Sequence, residues 1–314
     1  MTLKSFRQVV QLVLSVFVIY LALPDFPIHA VTSSEREALI ALYNSTNGPG
    51  WTNSAGWLGE PGTECDWYGI TCDGQSSLTA INLAENNLDG SIPPEIGGLS
   101  NLQYLYLHEN QLDGAIPPAI WNLTSLVDLR LHFNAFTGSI PSEIGSLNNL
   151  KYLNLAANQL EGSIPIEIGS LSSLQYLYLY RSGFTGSIPA EIGDLTELRD
   201  LLLGVNELTG NIPWQLGNLS NLVRLNLHDN QLRGSIPEEL GSLSNLQFFW
   251  VYGNQLSGSI PLTFSGLTAL DTFDVTGNCL TNFEPVSHVP NLIGADAQVD
   301  TCFQGLPWLM LLLD

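Results

Sequence analysis

The sequence predicts a curved solenoid, with a parallel β-sheet on its concave face and short extended and 3-10 helical segments on its convex face. Three observations predict this horseshoe. A leucine recurs every 24 residues from Leu78 to Leu270 without an insertion. Alternating leucines inside each period, such as Leu153 and Leu155, have the two-residue repeat of a strand with one buried face. One coil of this length cannot bury its own apolar face, so neighbouring coils must stack.

The period reads L-x-x-L-x-L-x-x-N-x-L-x-G-x-I-P-x-x-I-G-x-L and is complete from Leu150 to Leu171. We expect the L-x-L part to form the strand and the G-x-I-P part an extended stretch, because proline suits a sheet edge or the start of a bend. The I-G-x-L part then returns as a turn of helix on the outer side. The leucines that define the period are Leu78, Leu102, Leu126, Leu150, Leu174, Leu198, Leu222, Leu246 and Leu270.

One position after each strand carries asparagine, which we expect to be buried. A buried amide must find hydrogen-bond partners, and backbone groups of its own coil and the next coil are within reach. Ser182, followed by Gly183, breaks the column and predicts a locally altered turn in the fifth repeat. The column consists of Asn86, Asn110, Asn134, Asn158, Asn206, Asn230, Asn254 and Asn278.

This pattern resembles the plant-type extracellular leucine-rich repeat over residues 78 to about 280. The family includes the ectodomains of receptor-like kinases and receptor-like proteins, and the polygalacturonase-inhibiting proteins. The resemblance implies a leucine-rich-repeat solenoid whose concave face binds a ligand. Such a fold hosts many partners, so it does not by itself name the ligand.

The segment before the repeats predicts a helical N-terminal cap. Ser34 to Tyr43 has the pattern of an amphipathic helix, and Ser34 with Glu37 fits a capping box. The following C-x-W-x-G-x-x-C segment, Cys65 to Cys72, is similar to the N-terminal cap of the family, in which the two cysteines pair. We expect Cys279 and Cys302 to pair at the other end. An even cysteine count beside a secretory signal favours disulfides over free thiols or metal ligands.

The two ends of the chain lie outside the solenoid. Residues 1–30 predict a cleaved secretory signal, with Lys4 and Arg7 before an apolar run from Val9 to Leu23. An uncleaved anchor is the alternative, and only then would the protein associate with a membrane. The expected organisation is a signal peptide (1–30), an N-terminal cap (31–77), eight repeats (78–269), a ninth partial repeat with the C-terminal cap (270–303) and an apolar tail (304–314). The signal predicts a secreted, extracellular or cell-surface location.

Composition and motifs exclude several functions. Nine Lys and Arg face 30 Asp and Glu, for a net charge of -21, whereas nucleic-acid binding needs a basic surface. Hydrolase, zinc-protease, nucleotide-binding and kinase motifs are absent from the sequence. We therefore expect no catalytic residues, no cofactor and no enzymatic activity.

The five variable positions around each L-x-L motif predict the ligand-binding surface. Ten of these 45 positions are aromatic, against 19 of the other 269 residues. Strand propensity alone would favour aromatics there, but Tyr and Trp also supply contact area with a polar tip. The aromatic positions are Tyr104, Tyr106, Phe133, Tyr152, Tyr176, Tyr178, Tyr180, Phe248, Trp250 and Tyr252.

Basic residues and histidines also lie at these positions. We expect Arg130, Arg181 and Arg224 to contact the ligand together with His108 and His132. Because adjacent strands lie ~4.8 Å apart, His108 and His132 should be neighbours. Ordinary polar surface is the first interpretation, a pH-sensitive contact the second and a metal pair the third, since Glu109 is the sole further ligand in view. We predict no metal site here.

These observations predict a secreted or cell-surface protein that binds a peptide, protein or glycan through its concave β-face, without catalysis. An inhibitor of a secreted cell-wall-degrading enzyme is the alternative that the family resemblance implies.

Overall fold

The structure is a computed structural model that describes residues 31–74 and 77–296. The predicted signal, the partner cysteine Cys302 and the apolar tail 304–314 lie outside the described residues. The described part forms one α-helix, α1 (Ser33–Ser45), followed by coils that each contribute a concave strand, an extended flank and a 3-10 helix. This arrangement confirms the predicted leucine-rich-repeat solenoid.

The strands alternate between the concave sheet and the flank. In chain order they are β1 (Ile70–Cys72), β2 (Leu78–Asn82), β3 (Asp89–Gly90), β4 (Tyr104–Tyr106), β5 (Gln111–Leu112), β6 (Asp128–Arg130), β7 (Thr137–Gly138), β8 (Tyr152–Asn154), β9 (Gln159–Ser163), β10 (Tyr176–Tyr178), β11 (Gly183–Thr185), β12 (Asp200–Leu202), β13 (Thr209–Gly210), β14 (Arg224–Asn226), β15 (Gln231–Gly234), β16 (Phe248–Trp250), β17 (Gln255–Ser259), β18 (Thr272–Asp274), β19 (Cys279–Thr281) and β20 (Asn291–Ile293).

The concave sheet has eleven strands in the order β1-β2-β4-β6-β8-β10-β12-β14-β16-β18-β20. Strand β1 is antiparallel to β2, and the pairs from β2 to β20 are parallel. From β2 to β18 residues 24 apart pair directly, as Leu105 does with Leu129. The flank strands form three shorter sheets, β3-β5, β7-β9-β11 and β13-β15-β17-β19. The register therefore places equivalent side chains of successive repeats side by side.

The convex side carries one 3-10 helix per coil. Each begins after the proline of G-x-I-P, and an isoleucine, leucine or phenylalanine such as Ile168 fills the core. The repeat helices are Pro94–Gly98, Pro118–Asn122, Ser142–Ser146, Ile166–Ser170, Ala190–Asp194, Trp214–Asn218, Glu238–Ser242 and Leu262–Gly266. Further 3-10 turns lie in the caps, at Gly48–Gly50, Glu64–Asp66 and Glu284–Val286. The leucines that define the period are at most 2% exposed, so they form a continuous core.

The asparagine column ties each coil to the preceding one. Asn158 donates from Nδ2 to the carbonyls of Leu131, Leu155 and Ala156, and its Oδ1 accepts the amide of Phe136. Burial is confirmed for Asn86, Asn158, Asn230, Asn254 and Asn278, whereas Asn110, Asn134 and Asn206 are half-buried. The bonds between coils reach the coil before rather than the coil after. Ser182 makes no such bonds, and its buried hydroxyl has no partner among the described residues.

The N-terminal cap is closed by aromatic packing and a disulfide. Cys65 and Cys72 are bonded, as the resemblance implied. Arg36 pairs with the buried Glu64 and lies 5.3 Å from the Trp67 ring centroid. The predicted capping box on Ser34 and Glu37 is wrong. Thr32 caps the helix, because its hydroxyl accepts the Glu35 amide. The Thr32 amide in turn donates to the Glu35 carboxylate at 2.8 Å.

Candidate ligand-binding face

The concave strands present the predicted contact residues. In the concave strands from β4 to β18 the central residue, a leucine or a phenylalanine, is fully buried. Its neighbours are half-buried in Tyr176-Leu177-Tyr178, whereas Asp128, Asn154 and Asp200 are buried. A left-handed residue lies three positions after the strand, such as Phe133 with φ +52° after β6 or Arg181 with φ +53° after β10. That turn directs the chain from the concave face towards the flank.

One group of side chains surrounds a buried carboxylate at the N-terminal half of this face. Arg130 donates from Nε and Nη2 to the two oxygens of Asp128, at 2.9 and 2.8 Å. The Tyr106 hydroxyl donates to Asp128 Oδ2 at 3.1 Å. The guanidinium carbon lies 4.9 Å from the Tyr106 ring centroid and 4.3 Å from that of Tyr152. We call Tyr106, Asp128 and Arg130 the N-terminal acid cluster.

A second group repeats this arrangement three repeats later. The Tyr178 hydroxyl donates to Asp200 Oδ2 at 2.6 Å, and Arg224 forms an ion pair with the same oxygen. Arg224 reaches Asp200 from the next strand, whereas Arg130 shares a strand with Asp128. We call Tyr178, Asp200 and Arg224 the C-terminal acid cluster.

The protonation state of both clusters follows from burial and charge. Burial, with Asp128 beside it, raises the pKa of Tyr106 to about 12. Burial and the Asp200 carboxylate likewise raise the pKa of Tyr178. Hydrogen bonds to their aspartates raise the pKa of Arg130 and of Arg224. At neutral pH the tyrosines are therefore neutral donors and the arginines are cations.

Three tyrosines join the two clusters into one surface. The Tyr152 ring centroid lies 5.3 Å from that of Tyr176 and 5.2 Å from that of Tyr178. Arg130 packs on the same Tyr152 ring. Aromatic pairs at such separations stabilise one another beyond simple burial, so these rings are held in place before any ligand arrives.

The predicted histidine neighbours are in contact. The imidazoles of His108 and His132 stack with centroids 4.4 Å apart and an angle of 8° between planes. Burial, the neighbouring His108 and the Arg130 cation lower the pKa of His132 to about 4. Burial chiefly, and Arg130, lower the pKa of His108. His132 therefore stays neutral at pH 5, which argues against protonation of this imidazole in a mildly acidic extracellular fluid.

The remaining predicted residues divide into separate contacts. Phe248 stacks on Trp250, and Tyr252 stacks on His228. Tyr104 continues the first group, 6.2 Å from Tyr106 between ring centroids. Phe133 lies beside His132, 5.6 Å away between ring centroids, and is 44% exposed. Tyr180 and Arg181 follow β10 and join neither cluster within the described ring and ion-pair contacts.

The predicted binding set omitted Asp128 and Asp200, which organise both clusters. A signal was available, because each aspartate follows a tyrosine of the preceding repeat by 22 residues. In this register Asp128 pairs with Tyr104, and Asp200 pairs with Tyr176. Each aspartate therefore lies within reach of the hydroxyl of the tyrosine two residues further along the neighbouring strand.

Family profiles match most of the described chain. The leucine-rich repeat N-terminal domain matches residues 32–73, the leucine rich repeat matches 76–136, and the leucine-rich repeat region matches 134–260. The chain belongs to the leucine-rich-repeat family, in its plant-type extracellular class. A related rice protein, leucine-rich repeat protein 1, is 36% identical over 70 residues, which are 22% of this chain and 32% of the relative. The match thus spans about a third of that relative's length.

Three solved structures are similar to this leucine-rich-repeat protein. The ectodomain of the Arabidopsis receptor kinase GASSHO1/SCHENGEN3, in complex with CASPARIAN STRIP INTEGRITY FACTOR 2, has a TM-score of 0.70 and 33% identity, covering 82% of this chain and 34% of that one. The Arabidopsis HAESA ectodomain, in complex with an N-terminally extended IDA peptide hormone ligand, has a TM-score of 0.61 and 36% identity, covering 67% of this chain and 36% of that one. A plant ice-binding protein has a TM-score of 0.68 and 27% identity, covering 85% of this chain and 97% of that one.

Over 31–74 and 77–296, no helix has both the length and the apolar character to cross a bilayer.

Proposed function

We propose that this protein is a non-catalytic recognition module that binds an extended peptide along its concave face. One observation carries the proposal. The rings and guanidinium groups from Tyr104 to Arg224 form a continuous, partly exposed surface that two buried aspartates hold in position. A preorganised surface loses little side-chain entropy when a ligand binds.

The dimensions suit a peptide. Tyr104 lies on β4 and Trp250 on β16, six strand spacings apart in the concave sheet. At ~4.8 Å for each spacing, the predicted aromatic positions span ~29 Å, and the continuous surface from Tyr104 to Arg224 covers five of the six spacings. A fully extended peptide covers this length with about nine residues at ~3.3 Å each.

The comparisons support the same class of ligand. The similar HAESA ectodomain was solved with a peptide hormone. This chain covers 36% of the HAESA ectodomain, so only the corresponding part of such a receptor is compared. The proposal includes an extracellular location, which the similar receptor ectodomains and the predicted signal support.

A capture experiment tests the proposal. Immobilised protein would be exposed to extracellular extract, and bound material identified by mass spectrometry as peptide or folded protein. We expect peptides that bind wild type and lose at least tenfold in affinity with the double variant Tyr176→Ala, Trp250→Ala. Trp214→Ala is the matched control, since Trp214 is 55% exposed on a convex 3-10 helix.

Two results would reject the peptide proposal. Capture of a folded wall-degrading enzyme, inhibited on binding, would favour the inhibitor function instead. Full peptide binding by the folded concave double variant would move the site away from this face. Thermal melting of each variant separates lost binding from lost folding.

A second candidate function rests on the flank. Exposed serines recur along the flank strands at one position of the repeat, namely Ser91, Ser139, Ser163, Ser187, Ser235 and Ser259. Such a regular hydroxyl row, with the similarity to an ice-binding protein, favours contact with an ordered lattice. The adjacent row, however, contains Asp89, Asp113, Glu161 and Arg233, whose strong hydration opposes this. Thermal hysteresis in wild type that disappears in Ser163→Lys, Ser187→Lys would establish it.

A further inference from the structure

Two histidines and a glutamate converge at the end of β4 and β6. His108 and His132 occupy the same position of adjacent repeats, and Glu109 follows His108 in a left-handed conformation with φ +56°. One donor atom from each of the three side chains lies within 4.8 Å of the others. The sequence placed these residues near each other, but it did not show that the carboxylate turns towards both imidazoles.

The imidazoles have unused hydrogen-bonding capacity. The Nδ1 atoms of both His108 and His132 are buried and have no hydrogen-bond partner among the described residues. Buried polar atoms in folded proteins are nearly always paired, so two adjacent exceptions need an explanation. A bound cation would use nitrogen lone pairs that the protein leaves free.

The local charge also suits a cation. Glu85, Glu109 and Asp128 all lie close enough to act on His108, and Arg130 is the one opposing charge that acts with them. Asp128 already neutralises Arg130 through two hydrogen bonds. Glu85 and Glu109 therefore remain as uncompensated negative charges. Glu109 is exposed, so an ion can enter from the concave side.

We propose that His108, His132 and Glu109 bind a divalent transition-metal ion, with Zn²⁺ or Cu²⁺ as the matching chemistry. Imidazole nitrogen with one carboxylate oxygen selects these ions over Ca²⁺ or Mg²⁺, which prefer oxygen ligands. Three protein ligands leave a fourth position open for water or for a ligand on the concave face. The site is independent of the peptide proposal, because the metal can be tested alone.

The stacked arrangement must change on binding. Tetrahedral Zn²⁺ with bonds of about 2.1 Å needs donors roughly 3.4 Å apart. Parallel rings also direct their lone pairs along parallel lines rather than towards one point. We therefore expect one imidazole to turn about its side-chain torsion, so that stacking is replaced by coordination.

The test uses the metals themselves on chelator-treated full chain. Isothermal titration with ZnCl₂ and with CuCl₂ at pH 7 should show one site per chain. His132→Phe keeps an aromatic ring in place but removes both nitrogens, and we expect at least a tenfold loss of affinity. Glu109→Gln should weaken binding less. The electron paramagnetic resonance spectrum of the Cu²⁺ form should show coupling to two imidazole nitrogens.

His228 supplies the matched control. It stacks on Tyr252 with centroids 4.4 Å apart, and Asp229 follows it as Glu109 follows His108, but its stacking partner has no ring nitrogen. His228→Phe should leave the affinity unchanged. The proposal is overturned if wild type binds neither ion, if His132→Phe binds as tightly as wild type, or if His228→Phe loses as much. Unchanged melting curves of the metal-free variants would show that folding is intact.

Discussion

The two acid clusters of the concave face share a tyrosine–aspartate pair and differ in the origin of the arginine. In the N-terminal acid cluster, Arg130 stands two residues after Asp128 and grips both carboxylate oxygens. In the C-terminal acid cluster, Arg224 comes from the neighbouring strand and contacts one oxygen of Asp200. The side chains of Arg130 and Arg224 are 35% and 44% exposed.

This difference separates a structural arginine from a more available one. Arg130 lies against two tyrosine rings and uses its planar fork on Asp128, so little of its hydrogen-bonding capacity remains. Arg224 has no described ring contact and keeps donors for an incoming acceptor. In both clusters an arginine thus neutralises a buried carboxylate, but the two arginines differ in how many hydrogen-bond donors they leave for a ligand.

The largest expected effect is on stability when either acid is removed. Asp200→Ala and Asp128→Ala should each lower the free energy of unfolding by about 2–3 kcal/mol, because hydrogen bonds to a charged group and a partner cation are lost together. Denaturant unfolding measures this. A loss below about 0.5 kcal/mol, typical of an exposed pair, would show that the clusters are not structural.

The next largest effect is the pH dependence of stability that His132 gives to the N-terminal half of the concave face. The pKa of His132 in the folded protein is about 4, below the ordinary value of 6.5, because of burial, His108 and Arg130. Between these values the unfolded chain binds the proton and the folded chain does not. Stability should therefore be full above pH 6.5 and fall as the pH approaches 4, by roughly 1–3 kcal/mol.

Melting curves of wild type and His132→Phe in a chelator, from pH 7 to pH 4.5, check this sign. The variant should lose less stability than wild type over that range. Parallel curves for the two proteins would contradict the assigned environment of His132.

A smaller difference should appear in double-mutant cycles. The coupling energy of Asp128 with Arg130 should be about 1.5–2 kcal/mol, since the contact is bidentate and backed by rings. That of Asp200 with Arg224 should be about 0.5–1 kcal/mol, because Arg224 is more exposed and bonds to a single carboxylate oxygen. Alanine variants and their doubles, measured by unfolding, give both values. The reverse order would remove the distinction drawn between the two arginines.

The smallest effect concerns the left-handed turn after the strands. Val205 holds this turn with φ +57°, a conformation that β-branched residues avoid. Val205→Gly should stabilise the protein by about 0.5 kcal/mol, since relief of strain exceeds the added entropy of the unfolded chain. Ala157→Gly, at φ +52°, is the matched control in the N-terminal half and should be close to neutral. Destabilisation by Val205→Gly would mean that its side-chain contacts outweigh the strain.

Most of the fold could be predicted from the sequence because one period fixes strand, flank and helix in every coil. The position of the capping box could not be predicted in the same way, because Glu35 also accepts a hydrogen bond from the amide of Leu78 at 3.1 Å. That contact joins residues 43 positions apart, so a local sequence pattern cannot predict it. Glu35 is 3% exposed, which shows that tertiary packing rather than the first helical turn selected the cap.

The candidate site was predicted at the level of the face and not at the level of contacts. Alternation along a strand shows that Tyr178 leaves the core, but only the register between strands places Asp200 under its hydroxyl. The direction of a long side chain is also not encoded by position. Arg130 and Arg224 both point at carboxylates, one within its own strand and one across to the next.

The missing asparagine at Ser182 removes one set of side-chain hydrogen bonds between two neighbouring coils. Asn158 and Asn206 each bond to the coil before them, whereas the buried Ser182 hydroxyl bonds to nothing described. In a linear array, stability is a sum of coil terms and nearest-neighbour terms. The boundary between the fourth and fifth coils therefore lacks part of one such term. Under tension along the solenoid axis, this boundary would be held by the pairing of β8 with β10, the pairing of β9 with β11 and the Tyr152 ring contacts.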